Sequence, residues 1–538
     1  MVKLQTIILG AFLASSALGE TIVLDNCGTC GTCNTCGTCD SCCGTCCDPA
    51  PPCSGGDCGC ETGPAPDAPV CDETNNIVYG SGNTLGGDAN TIYGNDNFNL
   101  GHENTIYGSN NANLGNVNVI DGSYNQNVGN YNILDGDYNI NSGSVNTIIG
   151  SGNYNEGNYN TLLGDLNNLQ GDGNTIQGHV NTVSGNLNII DDGNFNVIDG
   201  SQNVINDGHY NTISGSGNYA EGNVNNINGN VNTVVGDHNF AQGDLNVIGG
   251  SGNLVDGSCN HAVGDLNQVV GDSNNLNGNE NVIVGNTNTL QGDQNVLAGD
   301  CNNVVGNENG VIGDANNVIG SYNGVIGSSN DAYGNYNQIA GYDNSVVGNN
   351  NLAVGTMNTA IGDTNVLVGS ENLAVGNENQ LAGCANTAIG NNNYAEGSQN
   401  YQYGDYNTAL GNHNTMIGDN NLAVGDVNHI WGDSNQVGGD FNTVTGYDNF
   451  VLGNVNTVQG ETNYLDGSFN TVAGNDNNVV GGSNYVYGHS NTIISSDGCT
   501  SGNYELPPPP EYPTCQQIPT DCGGCDTSCS CDCHCGCP

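Results

Sequence analysis

Cysteine carries the most obvious chemistry in this sequence, and it is placed very unevenly. Thirteen of the 25 cysteines lie between Cys27 and Cys71 and nine between Cys499 and Cys537, which leaves three for everything between. The first cluster steps by three through Cys27, Cys30, Cys33, Cys36 and Cys39; the second ends on Cys529, Cys531, Cys533, Cys535 and Cys537. Such spacing suits disulfides or a thiolate metal sink. The start of the chain separates the two. MVKLQTIILGAFLASSALGE has a basic start at Lys3, an apolar run from Thr6 to Ala14 and a small-x-small site at Ala17-Leu18-Gly19, the layout of a secretion signal. In an exported chain, dense cysteine reads as disulfide cross-linking, with no metal centre expected.

The other reactive residues form no constellation. The eight histidines within the repeat, His102, His179, His209, His238, His261, His413, His429 and His489, have no matching Ser, Cys or carboxylate at a triad-like spacing. They read as solvated surface histidines, and no enzyme and no cofactor are expected. Asp88, Asp165, Asp172 and Asp265 recur at one place in a repeat, which leaves weak calcium binding open. The calcium nonapeptide G-G-x-G-x-D itself is missing. A formal charge of -53 with one basic residue excludes nucleic acid as a partner. No apolar run is long enough to span a membrane.

What must position these residues is a repeat. From Gly80 to Ile494 the pattern G-x-x-N-x-x-x runs unbroken through 59 heptads, two of which, Gly185–Asp192 and Gly200–Asp207, carry an eighth residue. A short fixed period over such a length means a solenoid. Position 6 is apolar in 53 of the 59 and shares its parity with the asparagine at position 4, so both face inward on an extended chain. The strand is expected over positions 4 to 7, with glycine at position 1 in a turn that needs positive φ or close backbone approach. At position 6 Asn99, Asn113, Asn127, Asn141 and Asn155 alternate with Ile106, Ile120, Leu134 and Ile148, so the true coil is two heptads, 14 residues. The fold class is therefore all-β, a parallel β-solenoid with cysteine-rich, disulfide-bonded ends. The position-4 residues Asn83, Asn90, Asn97, Asn104 and Asn111, with the five position-6 asparagines, are expected to stack as hydrogen-bonded ladders. About 29 coils at roughly 4.8 Å would give a rod on the order of 140 Å long.

Between Gly257 and Val424 position 7 also turns apolar, at Val263, Ile312, Val347, Ile361 and Val375 among others. Position 7 points outward, so an exposed apolar stripe along about half the rod is expected, and such a stripe marks a partner interface.

The stretch NLAVGTMNTAIGDTNVLVGSENLAVGNENQLAGCANTAIGNNNYAEG, Asn351 to Gly397, resembles the head repeats of the trimeric autotransporter (YadA-like) adhesins. That resemblance covers the repeat alone and implies a left-handed β-roll, a possible trimer with position 7 at its interface, and an adhesive role. It transfers no catalytic residue. The heptad stalk and C-terminal barrel strand of that family are not found here.

The sequence thus divides into a signal (1–19), a Cys/Pro-rich N-terminal region (20–71), the solenoid (76–494) and a Pro/Cys-rich tail (495–538). It reads as a secreted structural protein, an acidic rod whose partner is itself, assembling into fibres or a surface coat with disulfide links. The alternative is an adhesin-like binding rod at a cell surface. Ice binding would need a continuous threonine array, but position 5 is Thr in only 18 of the 59 heptads.

Overall fold

The computed structural model describes residues 75–494 and the backbone of 499–501. The signal and both cysteine clusters, with Cys27, Cys30, Cys33, Cys36, Cys39, Cys529, Cys531, Cys533, Cys535 and Cys537, lie outside the described residues apart from the backbone at Cys499.

Each heptad builds one strand and one turn. In Gly101–Tyr107 the chain turns through Gly101 (φ 145) and Glu103 (φ 60), passes Asn104, and forms the strand Thr105–Tyr107. Most strands are three residues, positions 5 to 7, not four: the backbone N–H of the position-4 asparagine donates to a side-chain oxygen, as Asn104 does to Asn90 Oδ1 (3.0 Å), and not to a strand carbonyl. Strands 14 residues apart pair in parallel and in register, as in Thr91↔Thr105, Ile92↔Ile106 and Tyr93↔Tyr107. Successive heptads therefore feed two sheets alternately, and these enclose a core one side chain deep from each wall. The two eight-residue variants keep this register, with Ile190 opposite Ile205, and hold their extra residues Asp192 and Asp207 at φ 53 and 47.

The chain divides into two compact units at Ser345 and Val346. The first holds the strands from Ile77–Tyr79 to Gln338–Tyr342, and the second those from Leu352–Thr356 to Cys499–Ser501, a last strand that pairs with Tyr485–Tyr487. Each unit is a parallel β-solenoid of 14-residue coils. In the second, Leu352–Thr356, Val366–Ser370, Gln380–Cys384 and Tyr394–Ser398 lengthen to five residues and run on into the turn.

Two backbone demands explain the turn. A Cβ on Gly278 (φ 145) would stand 1.9 Å from the carbonyl oxygen of Gly292 in the next coil, so position 1 must be glycine both for its dihedral and for the approach of successive coils. Position 3 lies in the left-handed region throughout, yet its occupants include Val117, Val145, Val180, Val224 and Val231 at φ between 58 and 63. Left-handed backbone costs an ordinary residue about 1 to 2 kcal/mol, and β-branched residues tolerate it worst. The repeat imposes that geometry.

Candidate functional site

The inner surface is built from amides. Asn281, fully buried, shows the unit of construction. Its Oδ1 accepts the backbone N–H of Asn295 (2.9 Å) and that residue's Nδ2 (3.0 Å). Its own Nδ2 donates to the Gly292 carbonyl (2.7 Å) and to Asn267 Oδ1 (3.1 Å). Of the residues expected in this ladder, Asn90, Asn97, Asn104 and Asn111 are buried and Asn83 is half-buried. All five donate Nδ2 to a glycine carbonyl eleven residues on, at 2.7 to 2.8 Å. Side chain and turn thus specify each other, which is why position 4 never varies.

The second ladder is also as expected. Asn113, Asn127, Asn141 and Asn155 each donate Nδ2 to Oδ1 of the asparagine one coil earlier, at 2.6 to 2.7 Å. The two ladders are tied together, since Asn118, Asn132, Asn146 and Asn160 donate to the Oδ1 atoms of this second column at 3.0 to 3.1 Å. Asn99 is its first rung. The residue beside it in the preceding coil is Leu85, so Asn99 Nδ2 is buried with no acceptor.

A third column was not anticipated from the sequence. At position 2 a short side chain accepts the backbone N–H of the position-2 residue one coil earlier. Asp165, Asp172 and Asp265 accept in this way from Ser151, Asn158 and Ser251 at 2.6 to 2.7 Å. These aspartates therefore have a structural task in closing the turns. Among the described residues no group of three or more His, Cys, Asp or Glu is placed to hold a metal ion. Four histidines join the same column. His102, His179, His209 and His489 accept backbone N–H groups through Nδ1 at 2.9 to 3.1 Å, which leaves the proton of the neutral ring on Nε2. His238 and His413 stand at position 3, and His261 and His429 point outward from strands. The signal was visible in the restriction of position 2 mainly to Ser, Asn, Asp and His, short acceptors all.

The outer surface differs from the expected stripe. Val263, Ile312, Val347 and Ile361 are exposed and Val375 is half-buried. They do not form one line, because successive heptads face opposite ways. Val263 and Ile312 lie on different sheets of the first unit, while Ile361 and Val375 are register partners in one sheet of the second. The apolar position 7 makes a column on each of two opposed faces. Cys259 and Cys301 share one turn edge of the first unit, and both are free and exposed, as is Cys384 in the second.

Aromatic residues stack along the columns. Tyr79, Tyr93 and Tyr107 form a continuous stack with centroids 4.5 and 5.0 Å apart; Tyr124 with Tyr138, Phe195 with Tyr210 and Tyr322 with Tyr336 do the same in the turns. Burial, with its tyrosine neighbours, raises the Tyr93 phenol above its ordinary value. The bond from Tyr322 Oη to Glu308 Oε1 (2.8 Å) raises the Tyr322 phenol, as Glu396 does for Tyr394. Among the described residues no helix is long and apolar enough to cross a membrane. Compared with protein-family models and with curated proteins, the chain matches none.

Proposed function

We propose that this chain is an extracellular structural protein. It acts as a stiff acidic solenoid that assembles with its own copies into fibres or a surface coat, and disulfides from the cysteine-rich ends hold the assembly. The observation that carries this reading is the outward apolar column, repeated coil after coil in a chain of formal charge -53. Single exposed apolar residues are ordinary, but an aligned series is a contact surface. A fixed inner ladder suits that role, since it makes every coil an equal-length step of one lattice. Negative-stain images of the native material should show fibres, and non-reducing gels should show species far above the 55.1 kDa chain that collapse with reductant. Free monomers in both tests would reject the reading.

One observation favours the alternative, an adhesin-like binding rod. Tyr124, Tyr138, Leu166, Phe195 and Tyr210 stand in strained left-handed turns of the first unit and are about half exposed. Asparagine or glycine would sit there with less strain, so these large side chains serve something other than folding.

A further inference from the structure

In the second unit the acidic residues are sorted by place. Eleven of the 13 Asp and Glu between Val346 and Ile494 stand in turns; the other two, Glu396 and Asp466, point out of one sheet. The opposite sheet has none. From Thr359–Ile361 to Tyr485–Tyr487, ten successive parallel strands present 20 outward side chains without one carboxylate, lysine or arginine. One column on this face runs Ile361, Val375, Ile389, Tyr403, Ile417, Trp431, and the column beside it is threonine at six of its ten positions. The charge-free stretches of the first unit are shorter: seven strands on one sheet, Thr233–Val235 to Asn317–Ile319, between Glu221 and Asp331, and six on the other, Gln268–Val270 to Gln338–Tyr342, after Asp256.

We propose that this uncharged face packs against the same face of a second copy, sheet on sheet. The proposal rests on the self-assembly reading above and names its surface. Closing the opposite sheet of this unit would instead bury Glu396 and Asp466 against their own copies, which costs several kcal/mol per charge. A second copy is favoured over a flat polymer by period. Both columns repeat at the strand spacing of about 4.8 Å, and only a face with the same coil rise stays in step over ten strands. The aromatic residues, at Tyr401 and Tyr403, His429 and Trp431, and Tyr485 and Tyr487, are too scattered to form a platform for stacked rings. Ten strands about 4.8 Å apart, each of three residues at about 3.3 Å, give a plane of roughly 500 Å² per copy. The pair then closes roughly 1,000 Å², the lower bound for a specific interface.

The test uses the full chain under reductant, so that disulfides hold nothing, with sedimentation velocity over a concentration series. The wild type should form dimers or larger species. Ile389→Asp with Thr415→Asp, on the uncharged face, should weaken association about 100-fold or more. Val368→Asp with Thr408→Asp, on the opposite sheet, should leave it within a few-fold. Circular dichroism checks folding, and Ile389→Ser with Ile417→Ser replaces the first variant if it does not fold. A monomeric wild type, equal loss from both faces, or a monomer that binds chitin or ice through Ile389 and Thr415 would overturn the proposal. Native material without fibres, while the reduced chain still pairs through this face, overturns only the wider functional reading. Fibres that form normally from the face variant overturn only the pairing.

Discussion

Replacing Asn281 with leucine tests the ladder at a single rung. Leucine keeps the volume, so the change removes hydrogen bonds and opens little cavity. Four bonds made by the side chain disappear: two accepted from Asn295 and two donated, to Gly292 and Asn267. The Asn295 backbone N–H and the Gly292 carbonyl lose these partners inside the coil. At about 1 kcal/mol per bond the four bonds come to about 4 kcal/mol, before any cost of the stranded buried groups. A repeat array need not unfold in one step, so the readout is local. Hydrogen exchange at Asn295 should speed up by about a thousandfold, since each 1.4 kcal/mol is a factor of ten. The same change at Asn317, outward at position 5, should alter exchange little. A change below tenfold at Asn295 would refute the ladder as a source of stability.

Other expectations follow from single contacts. Gly278→Ala should destabilise the first unit by several kcal/mol in thermal melts, because its Cβ meets the Gly292 carbonyl at 1.9 Å; Gly310→Ala, with nothing within 4 Å, should be neutral or slightly stabilising. The Tyr322 phenol should ionise later than free tyrosine in an alkaline absorbance titration, and Glu308→Ala should bring it back toward about 10. The neutral phenol is the bonded form, so this contact supports the fold fully below that value and is lost as pH rises through the raised one. No N-linked glycan should be released by an N-glycosidase, since no asparagine in the chain starts an N-x-Ser/Thr sequon.

Period and parity carried most of the fold in the sequence. Glycine at position 1, asparagine at position 4 and the alternation from Asn99 to Asn155 specify the coil length, the inward face and both amide ladders, because each is a side-chain property that repeats. What was not legible involves the backbone. The position-2 column binds main-chain N–H groups, so the short acceptors Ser, Asn, Asp and His at that position did not by themselves name their partners. The left-handed position 3 of the turn was hidden because Val117 and Tyr131 occupy a conformation they disfavour. The apolar position 7 was read as one stripe, although two heptads per coil already require it to divide between two sheets. The outward apolar surface was therefore only half visible, as an excess of Val and Ile without a face.

Fibre diffraction from the oriented native material tests the central claim most directly. A solenoid that assembles with its axis along the fibre places its strands across that axis. The account therefore requires a strong meridional reflection at about 4.8 Å and an equatorial spacing near 10 Å from packed sheets. A fibre lacking the meridional 4.8 Å reflection, or showing it on the equator, would contradict it.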